Sequence, residues 1–409
     1  MKIMFKRQNI SLLVFEFFLL YSTDSALVST NNFRLFARIS WVIIVIITVY
    51  LLIKARFRIK GLIYIGLFGT SVLVSMLHNE GGFNINYVQR IILILCAYLI
   101  SRHINYREFA ITFVLMMKII SIVSLVALLF KPIIANLTFI PELYAGNIAF
   151  KSLFFTNVPL HGSIRNYGPL WEPGAFQVYL NIAIIFILWL KDKHKMKDIF
   201  LFAVTIITTR STAGYIILLS IILYYIFNQK DENNSIILLK RLLKFLIVIS
   251  IVYIFINSPL YKEIFGKVYS LIENPLQKNS ANVSAFTRLY SIFGNVDIMR
   301  NNLLFGIGID AQKDYLLNNF NLTASTNSIL NMGAYFGILP FILYILLYIN
   351  FSKNVPGKLI SKSYIFLLMV TISSTESLIV SFMFYIILFY GSQNKSSLFN
   401  YGFNSLNAG

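Results

Sequence analysis

The chain has 409 residues, of which 57% are hydrophobic and only 12% charged, with a mean hydropathy of +0.73. A soluble domain carries about 25% charged residues, so an ordinary soluble enzyme is excluded. Apolar runs recurring from end to end point to an all-α, polytopic integral membrane protein. The formal net charge of +19 does not indicate nucleic acid, because the basic residues form no stripe interleaved with exposed aromatics. They sit mostly in short segments between apolar runs, where they set topology and meet anionic lipid.

In chain order, Lys2, Lys6 and Arg7 precede the first apolar stretch. No small-residue cleavage site follows, so that stretch is expected to be a retained span. About twelve spans are expected, at 10–28, 39–53, 61–77, 87–101, 109–130, 174–190, 199–209, 213–228, 242–257, 328–350, 363–375 and 377–391. Several are shorter than the ~20 residues a straight span needs. The pairs 199–209/213–228 and 363–375/377–391 read equally well as two long helices with a break, which lowers the count to about ten. A cytoplasmic N-terminus leaves most lysines and arginines on the cytoplasmic side and both termini there. The chain then divides into N-terminal spans (1–130), a first long outer loop (131–173), central spans (174–257), a second long outer loop (258–327), and C-terminal spans with a cytoplasmic tail (328–409). Loops of this length are uncommon without a function. In the second, Tyr261, Ile264, Phe265, Val268 and Ile272 recur at helical spacing, as do Phe286, Leu289, Tyr290, Phe293 and Val296. Both sets predict amphipathic helices lying on the outer interface.

The residues that suit chemistry lie at the edges of the apolar runs. The segment from Asn157 to Gly174, NVPLHGSIRNYGPLWEPG, places His161, Arg165 and Glu172 beside a span. Gly168 and Pro169 argue against one continuous helix through it, and Pro173 suits the first turn of the next helix, with Glu172 at its N-terminus. Glu172 reads either as a stabiliser of that helix or as a general base toward a hydroxyl. Arg210, in TTRSTAG, ends one short apolar run. It either snorkels to the interface or clamps phosphate, for which a planar, permanently charged guanidinium is suited. Arg288, in AFTRLYSIFG, offers the same two readings, and Arg165 would be a third such arginine. Lys118 falls within a span and is expected to face the bundle interior. The single cysteine, Cys96, allows no intrachain disulfide. The chain has no HExxH, CxxC or Walker motif, so neither a bound metal nor a cofactor is expected.

One further stretch, Gly306-Ile307-Gly308 followed by Thr323-Ala-Ser-Thr326-Asn327-Ser-Ile-Leu-Asn-Met-Gly333-Ala-Tyr-Phe-Gly337, joins a glycine turn, a polar segment and a small-residue span. Together these features resemble the O-antigen polymerase and ligase superfamily of bacterial envelope glycosyltransferases, over roughly residues 160–350. The turn around Arg210 is similar to the family's arginine at the outer end of a span. Arg288, followed by Asn302-Leu-Leu-Phe-Gly306-Ile-Gly308, resembles the family's arginine helix leading to a glycine turn. Glu172-Pro173-Gly174 is similar to an element of polymerase members. The ligase branch places a histidine pair before its asparagine. Here Asn327 matches, but hydroxyl residues, Thr326 among them, hold the histidine positions.

The resemblance implies a polymerase of the Wzy type in a bacterial inner (cytoplasmic) membrane, acting on oligosaccharide repeat units carried on undecaprenyl pyrophosphate. It further implies membrane lipid as surroundings, and a chain-length regulator and a flippase as partners. Glu172, Arg210 and Arg288 would be catalytic, and Arg165, His161, Thr326 and Asn327 would bind substrate. The alternatives are a lipid-linked oligosaccharide flippase or other transporter, and a ligase. A transporter would concentrate polar residues near the midplane, and Glu16 and Lys118 are the main residues of that kind.

Overall fold

The computed structural model describes residues 7–30, 34–54, 59–145, 148–160, 164–190, 195–228, 283–354 and 359–392. The expected span 242–257, the expected helix over 261–272 and His161 lie outside them. The described chain is mostly helical. It begins with α1 (Arg7–Thr23), a 3-10 turn (Ala26–Ser29), α2 (Arg34–Lys54), α3 (Ile59–Glu80), α4 (Ile85–His103) and α5 (Tyr106–Leu129). A short α6 (Lys131–Asn136) leads into strands β1 (Glu142–Ala145), β2 (Ile148–Ser152) and β3 (Asn157–Pro159). Then follow α7 (Pro173–Leu190), α8 (Lys195–Thr209) and α9 (Thr212–Asn228). The described chain resumes with α10 (Val283–Asn301), followed by α11 (Ile309–Phe320), α12 (Ser328–Phe336), α13 (Ile338–Lys353), α14 (Leu359–Thr375) and α15 (Phe382–Phe389).

Among these, α4 and α5 are long and apolar enough to cross a membrane by length and composition. Shorter apolar helices occur at Ile10–Thr23, Arg38–Ile53, Pro173–Leu188, Thr212–Tyr225, Ile338–Lys353 and Leu359–Thr375. This is an architecture compatible with a membrane protein. One face of α2 points the same way: Leu35, Ile39, Val42, Ile46, Val49 and Ile53 form an exposed apolar stripe at helical spacing, the reverse of what a soluble surface helix presents to water.

The all-α expectation needs one correction. The segment 131–173 contains a three-stranded antiparallel sheet in the order β1-β2-β3, with Leu143 opposite Phe150 and Lys151 opposite Val158. Strands this short, four, five and three residues long, give too brief an alternation to stand out beside the apolar runs.

Three junctions between helices are decided locally. Between α8 and α9 the chain reverses at Arg210, whose φ is +50°. The Tyr215 hydroxyl then donates to the Ile207 carbonyl at 2.8 Å, whereas a continuous helix would hold residues eight apart at ~12 Å. Between α14 and α15 the chain also reverses. Ser381 caps α15 through its hydroxyl, and the far end of α15 returns to α13, where the Asn354 amide donates to the Gly391 carbonyl. The expected single span 328–350 is two helices, α12 and α13, broken at Gly337. Its φ of +88° is open to glycine, and a Cβ there would meet the Leu304 carbonyl oxygen at 2.0 Å.

The helix α7 lies at the centre. Residues 173–187 are buried on every side, and α5, α8 and α9 pack against it. Aromatic pairs tie this core together, among them Phe113 with Phe186 at 5.4 Å and Tyr106 with Phe186 at 5.8 Å, in the edge-on geometry such rings prefer. At the N-terminal end of α7 gather the sheet, α10 and the turns between helices. We call this end the crown.

Candidate site beneath the crown

The site starts from the approach to Glu172. Asn166 fixes the preceding turn: its Nδ2 donates to Ser124 Oγ at 3.0 Å and to Thr208 Oγ1 at 3.1 Å, and its Oδ1 accepts from the Gly168 amide at 3.0 Å. Gly168 has φ +52° and its carbonyl accepts from the Asn157 amide at 2.7 Å. Leu170 bridges to Ser25. The turn is thus held by α5, α8 and the segment after α1 together. Pro173 opens α7 as expected, and the Glu172 carbonyl accepts the first amide bond of the helix, from Phe176, at 3.2 Å.

Glu172 is partly exposed, and its side chain meets a residue that the sequence reading missed. Glu376, at the reversal after α14, is 2% exposed and lies over the first turn of α7. A Cβ on Gly174 would sit 1.8 Å from Glu376 Oε1, so the glycine of Glu-Pro-Gly makes room for a carboxylate. Arg288, from α10, reaches the same oxygen with Nη2 at 3.4 Å and donates Nε to the Thr375 carbonyl at 3.3 Å. Glu376 Oε2 is buried with no hydrogen-bond donor. Burial, and then the neighbouring Glu172 carboxylate, raise the Glu376 carboxyl well above the ordinary range, while Arg288 pulls it back.

The segment carrying Thr326 and Asn327 is bonded into the same place. Ser328, the first residue of α12, donates Oγ to the Glu376 carbonyl at 2.6 Å and accepts from the Leu378 amide at 2.7 Å. Asn327 is buried, and its side-chain oxygen caps α12 by accepting from the Leu330 amide at 3.0 Å. That oxygen therefore serves the helix, as an N-cap residue does. The Thr326 Oγ1 is buried without a partner.

On the other flank of α7, Gln177 links both sides. Its Nε2 reaches Thr375 Oγ1 at 3.4 Å, and the backbone of Gly214, in the first turn of α9, lies against its side chain. Just before α9, Arg210 is exposed. Arg165 donates Nε to the Thr209 carbonyl at 3.0 Å, which anchors it to the residue preceding Arg210. Arg165 and Arg210 thus form one group and Arg288 with the two glutamates another, on either side of the N-terminal turns of α7.

Two carboxyls of unlike burial beside a guanidinium can hold and move a proton. The partly exposed one can accept it from a hydroxyl, and a neutral Glu376 leaves the charge of Arg288 free to face an anion. The further arginines extend that positive field. Glu376 left a trace in the sequence: it is the only acid between the two short apolar runs 363–375 and 377–391. Gln177 and Ser328 left none, since each sits inside or at the rim of an apolar run. No family model matches this chain, and no curated protein matches it.

Proposed function

We propose that the chain is a multi-pass glycosyltransferase of the O-antigen polymerase kind in a bacterial inner membrane, with about twelve spans and the crown on the outer face. It joins repeat units carried on undecaprenyl pyrophosphate. The observation that carries this reading is the convergence of Glu172, Arg288 and Glu376, from three distant segments, on the N-terminal turn of α7, with Arg165 and Arg210 across that helix end.

In this mechanism Glu172 takes the proton from an acceptor hydroxyl of the incoming unit. That oxygen forms a bond to the anomeric carbon of the growing chain. The bond from that carbon to the pyrophosphate oxygen breaks, and its electron pair leaves on the pyrophosphate. Arg288 and Arg210 stabilise the charge that develops there, in a site partly screened from water. Arg165 positions the turn that carries the carboxylate. Thr326, whose amide donates to Ser291 Oγ of α10 at 3.3 Å, supplies an unpartnered hydroxyl, and Asn327 holds the backbone that presents it. The exposed apolar residues Leu289, Phe293 and Val296 of α10 offer a surface for the polyprenyl tail, on the helix whose other side carries Arg288.

The test is a gene deletion with surface glycan resolved by gel and immunoblot, rescued by wild type or by Arg288→Ala. Single repeat units on their usual acceptor, without a ladder, are the expected outcome for the deletion and for Arg288→Ala. Polymer accumulating on its lipid carrier would instead indicate a ligase. A second reading, a flippase, is favoured by the buried carboxyl of Glu16 in α1, whose Oε1 accepts from Thr112 at 2.5 Å while Oε2 has no partner. Single units trapped on the cytoplasmic face would establish it.

A further inference from the structure

The segment that joins α5 to the sheet carries an apolar face that the described residues leave bare, and the mechanism above does not use it. Helix α5 opens on Tyr106, Arg107 and Glu108. From Phe109, ~20 residues cross the ~30 Å of a hydrocarbon core, so the outer boundary falls near Leu129. On α5, Ile122 and Val126 are exposed. The same spacing continues to Leu129 and Ile133, past the end of α5 and into α6. Helical bonding runs through the junction: the Phe130 amide donates to the Val126 carbonyl at 3.1 Å, and the Ile134 amide to the Phe130 carbonyl at 3.0 Å. Leu129, Phe130, Ile133 and Phe139 are 79%, 52%, 59% and 78% exposed. The opposite face is fastened to the sheet. Ala127 and Ile134 pack with Val158 of β3 and with Leu153. Buried Lys151 of β2 donates Nζ to the Ala135 carbonyl at 2.9 Å and to the Leu137 carbonyl, which satisfies the C-terminal end of α6.

Large apolar side chains bare to water beyond the edge of a span are costly. What covers them follows from continuity, because this face prolongs the lipid-facing side of α5. We infer that α6 and the chain up to Phe139 form an anchor in the membrane interface on the crown side, with Phe130, Ile133 and Phe139 inserted among the lipids. Apolar faces of this kind sit about 5–10 Å into the boundary between headgroups and acyl chains. From 129 to 141 the one charged residue is Lys131, and a lysine without an acid beside it suits a surface of lipid phosphates. The anchor is coupled to the candidate site. Lys151 ties it to the sheet, and in β3 the Asn157 amide donates to the Gly168 carbonyl at 2.7 Å, in the turn that leads to Glu172. The anchor thereby sets the height of Glu172 above the lipid. A substrate whose reacting bond is tethered to a lipid needs a carboxylate held at a fixed height. That role rests on the polymerase reading, whereas the insertion does not.

The experiment uses the full chain in lipid nanodiscs. The native thiol of Cys96 is fully buried, so a bimane label is directed to Ile133→Cys or Phe139→Cys, with unsubstituted protein as the blank. Ile122→Cys, in the exposed stripe of α5, is the reference for lipid, and Asp314→Cys, exposed on α11, is the reference for water. Emission is quenched by iodide from the water and by lipids brominated either near the headgroup or near the end of the acyl chain. Labels at 133 and 139 should lose emission to bromine near the headgroup and keep it against iodide. The label at 122 should respond to the deeper bromine, and that at 314 to iodide alone. Labels at 133 and 139 that respond to iodide as the one at 314 does overturn the inference. Labels shielded from both quenchers also overturn it, since protein, such as a second copy of the chain, then covers the face. The double variant Ile133→Asp with Phe139→Asp should shorten the glycan ladder, and a full ladder overturns the claim that the anchor sets the height of Glu172. Labels in water beside a lost ladder in the deletion strain defeat this inference alone. Labels in lipid beside an intact ladder uphold the insertion and defeat the polymerase reading.

Discussion

Replacing Arg288 separates a catalytic cation from a structural one. In Arg288→Ala the chain loses one hydrogen bond to the Thr375 carbonyl and one contact to Glu376 Oε1. Breaking a buried ion pair costs about 3–5 kcal/mol when it strands a charge. Here the stranded group has an escape, because burial and Glu172 already raise the Glu376 carboxyl and the neutral form is open to it. The loss should then be that of one or two charge-assisted bonds, about 1.5–3 kcal/mol, and the protein should still accumulate in membranes. Activity should fall much further. A donor aimed at a developing anion contributes about 10²–10³ in rate, enough to remove the glycan ladder. Arg288→Lys keeps the charge but loses the planar two-pronged donor, and should give short ladders. The assay is the complemented deletion strain, with membrane abundance followed by immunoblot and thermal midpoint measured on purified protein. A full ladder from Arg288→Ala at wild-type abundance would refute the mechanism. Loss of the ladder together with loss of the protein would refute the claim that the cost in stability is small.

Three further outcomes follow from the same geometry. Gly174→Ala should raise helix propensity by about 1 kcal/mol yet displace the Glu376 carboxylate, whose Oε1 stands 1.8 Å from the new Cβ. A lost ladder with a thermal midpoint lowered by no more than a few degrees is expected, and normal polymerisation would show that the carboxylate need not stand there. The raised carboxyl of Glu376 fixes the sign of a pH effect. A group held protonated in the folded state stabilises fully below its unfolded value of about 4.3, and the contribution fades as pH rises through the folded value. Thermal midpoints should therefore decline from mildly acidic toward higher pH more steeply in wild type than in Glu376→Gln, and parallel curves would contradict the assignment. Lys118 pairs with Asp198 at 2.5 Å, and the two side chains are 32% and 26% exposed. Such a pair contributes about 0.2–1 kcal/mol, so Lys118→Met should leave the ladder and the abundance intact. A defect in delivering repeat units across the membrane would instead support the transporter reading.

The parts of the fold that were legible are those set by long-range periodicity in the sequence. Apolar runs located most helices, and Pro173 after Glu172 marked the start of α7 correctly. The predicted helix around Arg288 is present as α10. Leu289, Phe293 and Val296 face outward, and Ser291 and Asn295 are buried. Apolar spacing alone could not tell which face meets protein, because that depends on the solvent outside. Asn295 Nδ2 donates to Ser325 Oγ and to Asn331 Oδ1, each at 2.9 Å, so the inward face of α10 is held by a hydroxyl and an amide from a segment thirty or more residues away. The role of Asn327 was read as ligand contact, and the structure places its side-chain oxygen on a helix cap, a use invisible until the start of α12 is known.

What places the candidate site where it is, physically, is the interruption of helices. Glu172 precedes the first turn of α7, Arg210 is the reversal before α9, Asn327 caps α12, and Glu376 is the reversal after α14. A helix end leaves several backbone amides or carbonyls without partners, and polar side chains are drawn there to satisfy them, as Arg165 does at Thr209, Arg288 at Thr375 and Ser328 at Glu376. In a chain so apolar, these ends are the places where charged groups are tolerated at low cost, and the crown collects four of them around α7. A break in one helix raises no demand for chemistry. Two breaks that bring two carboxylates to a single helix N-terminus, where Arg288 of α10 meets them, do, because Glu376, with Oε2 unpartnered, could have been an amide if capping were its whole task. The test of that argument is Glu376→Gln. It keeps the shape and an acceptor for Arg288, so a structural carboxyl would tolerate it, whereas a proton-holding one would lose the ladder with its abundance unchanged.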